Sequence, residues 1–159
     1  MTRTSATPPH AARFPLEGAS AGSQTVWRLL LAAWLVALCA SLGALFIGEI
    51  MGQSPCNLCW FQRAFMFPLT IILLVACLRS DAGVWRYTLP LAVIGGLVAI
   101  YHTLLVVGVI PEPIVQCGTG PSCSSADMTV LGWVSIPFLS AASFFTIAVL
   151  LILVRGRSS

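Results

Sequence analysis

The sequence predicts an all-α membrane protein, a bundle of four transmembrane helices with both termini in the cytoplasm. Three observations carry that expectation. Hydrophobic residues make up 58% of the chain and charged residues 8%, against about 45 to 50% and about 25% in ordinary soluble domains. Four apolar runs are each long enough for a span of about 20 residues. All eight basic residues are arginine, and all but one of them fall on a single side of the membrane once the spans are counted. Four such spans would consume about half of the chain, which leaves room for one compact domain. The formal charge of +3 then has a topological explanation and gives no reason to expect nucleic-acid binding.

Residues 1–25 are rich in Ala, Ser, Thr, Pro and Gly, show no helical or strand period, and read as a disordered cytoplasmic tail. Residues 26–155 hold the four helices, expected at about 27–47, 59–78, 87–109 and 134–154. Residues 48–58 and 110–133 are the outer loops, and residues 156–159 a short cytoplasmic tail. The first run follows Arg28 at its entry and continues through Leu42 to Ile47, too long for the core of a cleaved signal peptide. Leu38 stands where a lipidation site at Cys39 would need a small residue, so the first helix is expected to be retained. Each span reverses sides, which puts Arg3, Arg13, Arg28, Arg79, Arg86, Arg155 and Arg157 on one face and Glu49, Glu112 and Asp127 on the other. The positive-inside rule makes the arginine face cytoplasmic. The other face, which carries four of the six cysteines, then meets the oxidising compartment where disulfides form.

The cysteines carry the chemistry. Cys39 and Cys77 lie inside apolar runs, where a cysteine behaves as a small hydrophobe, and are expected to be inert packing. In the stretch from Ser54 to Cys59, Ser54 is placed to cap a helix and Pro55 is tolerated in its first turn. Cys56 and Cys59 then sit where the helix dipole and unpaired N–H groups favour a thiolate, the nucleophilic form. Arg63 follows Cys59 at i+4, on the same face and one turn deeper. An intramembrane arginine costs at least a few kcal/mol and usually faces the bundle interior or a substrate path. The bland reading is a side chain that snorkels to the headgroups; the adjacent cysteine pair argues against it.

His102, flanked by Tyr101 and Thr103, lies in the outer half of the third span, about 12 Å of helix from Pro111 and at a depth comparable with Arg63. Arg63 and His102 are expected to line one mostly apolar pocket, which would suit a quinone ring whose oxygens need hydrogen bonds and protons. Cys117 and Cys123 are separated by five residues rich in Gly and Pro, a turn that lets the sulfurs meet. A ring that small stabilises by only about 2 kcal/mol, so an exchangeable disulfide is favoured over a structural staple.

These residues together resemble the DsbB family of membrane disulfide-generating enzymes, and its short-loop members such as BdbC more than its long-loop ones. The resemblance covers residues 27–154 and rests on Pro55, Cys56, Leu58, Cys59, Arg63, the His102 and Thr103 pair and the downstream Cys117 and Cys123. It implies a thiol:quinone oxidoreductase in the bacterial inner membrane, with its redox cysteines facing the periplasm. A reduced thioredoxin-like partner, similar to DsbA, would attack the loop disulfide at Cys117. Cys123 would pass the electrons to Cys56, and Cys59 would meet a bound ubiquinone or menaquinone, with Arg63 offsetting the negative charge and His102 near the ring. Long-loop relatives separate the loop cysteines widely, whereas only five residues intervene here, so the order of the handover is left open.

Three alternatives stand beside this one. An enzyme similar to vitamin K epoxide reductase also joins four helices, a CxxC and a loop cysteine pair, but there the loop pair precedes the CxxC, whereas Cys56 precedes Cys117. Cys56, Cys59, Cys117 and Cys123 would supply four thiolates to zinc or copper, yet Arg63 would then be unnecessary and no intramembrane acid marks an ion path. No metal is therefore expected. A purely structural bundle leaves Arg63 unexplained.

Overall fold

The computed structural model describes residues 21–110, 129–130 and 134–158. Helix α1 spans Ala21–Leu45 and continues as a π-helical turn, Phe46–Ile50. Helix α2 spans Asn57–Arg79, α3 Trp85–Val106 and α4 Ile136–Ser158, with a 3₁₀ turn at Ala82–Val84. Two short strands, β1 (Thr129–Val130) and β2 (Val134–Ser135), pair antiparallel just before α4. All four helices are long and apolar enough to cross a membrane, so the chain is a multi-pass helical membrane protein.

The boundaries depart from the hydropathy reading at the ends. Residues 21–25, expected in the disordered tail, are the first turn of α1, and α4 runs on to Ser158 through the expected C-terminal tail. Helix formation needs only continuous backbone bonding, whereas hydropathy marks the stretch that fits in hydrocarbon. The third helix stops three residues short of Val109, in a turn where Gly108 takes φ +80. Residues 1–20 and 111–128, which include Cys117 and Cys123, lie outside the described residues.

Each helix packs against its neighbours in the chain, and α4 closes the ring against α1. With lipid outside, helices associate through close packing more than through water exclusion, and small residues permit it. Ala33 and Ala37 on α1 and Ala92, Gly95 and Ala99 on α3 form such faces and are buried. Phe144 of α4 fills the space left by Gly95, where a Cβ would collide with the ring. Leu30, Leu69, Leu73, Ile147, Leu151 and Val154 complete a core toward one end, while Ile71, Leu78, Leu97 and Phe145 point outward as lipid-facing apolar surface.

That end is tied by polar contacts suited to an interface. Trp27 Nε1 donates to the Cys77 carbonyl at 3.2 Å, joining the start of α1 to the end of α2. Ser80 ends α2 in the left-handed conformation, φ 52, and Asp81 Oδ1 then accepts from the Gly83 N–H at 2.8 Å to start the 3₁₀ turn. The Arg155 guanidinium lies 4.9 Å from the centre of the Trp85 ring. Arg28, Arg79, Arg86, Arg155 and Arg157 therefore belong to one end of the bundle, and Arg63 is the only arginine toward the other among the described residues.

Candidate functional site

At the opposite end, the π turn closes α1 with Met51 N–H donating to the Phe46 carbonyl at 3.1 Å, and Gly52, at φ +69, turns the chain back toward α2. Ser54 and Pro55 bring it to Cys56, which is the N-cap of α2. Ser54 is the expected cap, but the helix starts two residues later, because the Cys56 sulfur takes the capping role. Its Sγ accepts from the Cys59 N–H at 3.4 Å, one of the first-turn donors with no helical partner. Capping at Cys56 puts Cys59 at the third helical position and the two sulfurs side by side, 3.2 Å apart, against about 2.05 Å in a disulfide.

The two cysteines see different surroundings. Cys56 is 1% exposed and faces inward, toward α3. Its Sγ lies 3.7 Å from Nε2 of His102, itself fully buried, whose Nδ1 is 2.9 Å from Nε2 of Gln62. When the Gln62 amide donates to Nδ1, the ring proton sits on Nε2 and is directed at the Cys56 sulfur. Cys59 is half-buried and lines a cavity of about 770 Å³ bounded by α1, α2, the start of α4 and the connector before Cys56. Most of its wall is apolar, including Leu35, Val36, Ile47, Met66, Phe67 and Leu139, and its polar groups include Gln62, Arg63, Ser41 and Ser140. Volume and lining match small-molecule sites, which hold about 300 to 1,000 Å³ and few polar groups.

Among the described residues, Arg63 is held without a carboxylate. Its Nη2 donates to the Ala44 carbonyl at 2.7 Å, and its guanidinium stands 5.6 Å from the centre of the Trp60 ring. Gly48 makes room for it, since a Cβ there would stand 2.8 Å from Nη2. The carbonyl lies just before the α-to-π transition, where helical hydrogen bonding is rearranged. Arg63 is thus fixed against α1, with a fork of five N–H donors on the wall of the cavity.

Against the sequence reading, Arg63 and His102 do not line the same pocket: Arg63 is on the cavity wall, and His102 is behind Cys56 and absent from that wall. Residue spacing fixes depth along a helix but not direction around its axis. Gln62 escaped the sequence reading, although a polar residue in an apolar run beside Arg63 was a signal that it meets something inside. It reaches both the cavity and His102. Of the two cysteines expected to be inert packing, Cys39 is exposed and borders the cavity, while Cys77 is buried in the core.

A family model described as "Disulfide bond formation protein DsbB" matches residues 25–154. The chain is 61% identical over 138 residues to a "Probable disulfide formation protein" of Metapseudomonas resinovorans, covering 86% of this chain and 96% of the relative. It is 40% identical to "Disulfide bond formation protein C" of Bacillus subtilis (strain 168), over 82% of this chain and 94% of the relative. A "Probable disulfide formation protein" of Coxiella burnetii (strain CbuK_Q154) is 41% identical over 76% of this chain and 83% of its own length. No solved structure matches. With the family model spanning most of the sequence and near full-length relatives of the same description, this four-helix membrane chain belongs to the DsbB family of disulfide bond formation proteins.

Proposed function

We propose that this disulfide-forming thiol oxidoreductase draws electrons from a DsbA-like thioredoxin-fold protein on the outer side of the inner membrane and delivers them to a membrane quinone. The observation that carries the reading is the split environment of the cysteine pair: Cys59 shares a cavity wall with Arg63, while Cys56 is turned away from the cavity toward His102. One cysteine is thus suited to a small apolar acceptor and the other to thiol exchange.

A reduced partner attacks the Cys117–Cys123 disulfide at Cys117, forming a mixed disulfide, and its second thiol resolves it; the partner is oxidised and the loop pair reduced. Cys123 then attacks Cys56, breaking the Cys56–Cys59 bond and releasing Cys59 as a thiolate. Cys117 closes the loop disulfide again, and Cys56 leaves with its proton returned. Each exchange moves one electron pair by thiolate attack on a disulfide. His102 is positioned to supply that proton from Nε2, held toward Cys56 by the Gln62 amide. A quinone held by the apolar wall and Arg63 would supply the oxidant, taking two electrons and two protons while the Cys56 and Cys59 thiols close their disulfide. Arg63 holds negative charge at Cys59 and donates hydrogen bonds into the cavity, in surroundings where a fixed charge acts strongly because water is scarce.

The arginine-rich end is assigned to the cytoplasm by the positive-inside rule, with both termini there and the cysteine pair at the periplasmic face. The test mixes purified protein, a reduced DsbA-like protein and a soluble quinone, and follows the quinone absorbance beside serine variants of Cys56, Cys59, Cys117 and Cys123. Loss of turnover in all four is expected; parental turnover with Cys59→Ser would overturn the route.

A further inference from the structure

We propose that the reduced Cys56–Cys59 pair and His102 form a three-ligand site for a thiophilic cation of the zinc class, a site that exists in the dithiol state and vanishes in the disulfide. The two sulfurs and an imidazole nitrogen lie within 4.8 Å of one another. Tetrahedral zinc, with Zn–S about 2.3 Å and Zn–N about 2.0 to 2.1 Å, sets its ligand atoms about 3.5 to 3.8 Å apart. The Cys56 sulfur and His102 Nε2, at 3.7 Å, already stand at that separation. The sulfurs, at 3.2 Å, need to part by about half an ångström, and the third pair stands within 4.8 Å, so the site closes by a turn of the Cys59 side chain about its Cα–Cβ bond.

The donor chemistry selects the ion. Two thiolates and an imidazole suit zinc or cuprous ions and reject magnesium and calcium, which take oxygen ligands. The amide of Gln62, 2.9 Å from Nδ1, supplies the outer hydrogen bond that ligating histidines almost always make; with its oxygen toward the ring it accepts from Nδ1–H and leaves the Nε2 lone pair for the cation. Cys59 borders the cavity, from which water completes the coordination. Binding exchanges two thiol protons for one divalent cation and moves no electrons. A disulfide offers neither the charge nor the sulfur separation, so cation binding and oxidation of the pair exclude each other. This site differs from a four-thiolate centre in needing neither loop cysteine. It stands on the geometry of three side chains and does not depend on the electron route above.

The experiment uses the full chain in detergent with Cys117→Ser and Cys123→Ser, so that loop thiols do not compete. Phosphine-reduced and disulfide-oxidised samples are titrated with Co²⁺, then with Zn²⁺. Sulfur-to-cobalt charge transfer and tetrahedral d–d bands, saturating at one equivalent in the reduced sample, absent in the oxidised one and erased by Zn²⁺, are expected. His102→Ala should weaken Zn²⁺ binding roughly tenfold or more, by analogy with the loss that even outer-shell changes bring. His102→Cys, which restores a third ligand, should recover affinity with a stronger charge-transfer band. No cobalt bands in the reduced protein, equal binding by both redox forms, or parental affinity in His102→Ala would each overturn the site; the redox comparison needs no substitution at His102 and is immune to misfolding of that variant.

Discussion

Among the described residues, Arg63 is held by neutral groups alone. One N–H is given to a helix carbonyl and the ring of Trp60 lies beside it, and neither of these contacts neutralises the charge, which sits on the cavity wall. Arg63→Gln keeps a hydrogen-bonding group and removes the charge. Quinone reduction should fall about 10²-fold, the scale of losing one fixed electrostatic stabiliser, while exchange between Cys56 and a small disulfide, followed by thiol trapping, should stay near the parent rate. Equal loss in both assays would mean that Arg63 acts on the fold. Gln62 makes the opposite case, as a neutral side chain whose role is orientation. Gln62→Leu leaves the buried Nδ1 of His102 without its amide partner, at about 1 to 3 kcal/mol of stability, and should slow thiol exchange at Cys56; thermal unfolding in detergent and stopped-flow exchange check the two effects.

Among the elements, the transition at the end of α1 and the N-terminus of α2 build the site between them. The π turn brings Ala44 and Gly48 to the Arg63 guanidinium, and the N-cap at Cys56 sets the Cys59 sulfur beside its partner. Gly48→Leu should push Arg63 off its carbonyl, raising the KM for quinone roughly tenfold, an effect of about 1.4 kcal/mol on binding, with the helical circular dichroism spectrum unchanged. Unaltered quinone kinetics would show that Gly48 is not what admits Arg63. At the contact between α3 and α4, Gly95→Leu drives a side chain into the Phe144 ring; overpacking of this kind costs about 1 to 3 kcal/mol. A lower melting temperature in detergent is expected, partly restored by Phe144→Ala in the same chain.

At the largest scale the described residues form a ring of four antiparallel helices, with five arginines at one end and the cysteine pair with Arg63 at the other. If the arginine end is cytoplasmic, single-cysteine probes at Ser54 and Ser80 should react differently with a membrane-impermeant maleimide in a chain otherwise free of reactive cysteines. Ser54 should label in intact spheroplasts and Ser80 only after lysis; the reverse pattern would invert the topology.

Much of this was legible in the order of the residues. Hydrocarbon admits only long, internally hydrogen-bonded segments, so four apolar runs betray four helices whatever their packing. The CxxC, with an arginine at i+4, marked Cys56, Cys59 and Arg63 because spacing along one helix is a local property. What tertiary structure alone decided was direction around the helix axes and contact between distant helices. Cys56 turned to α3 and Cys59 to α1 and α4, His102 went behind the pair instead of into the cavity, and Gln62 joined the two sides. These follow from how the four helices pack against one another, and amphipathic periodicity, the usual guide to facing, is weak when lipid and core are equally apolar.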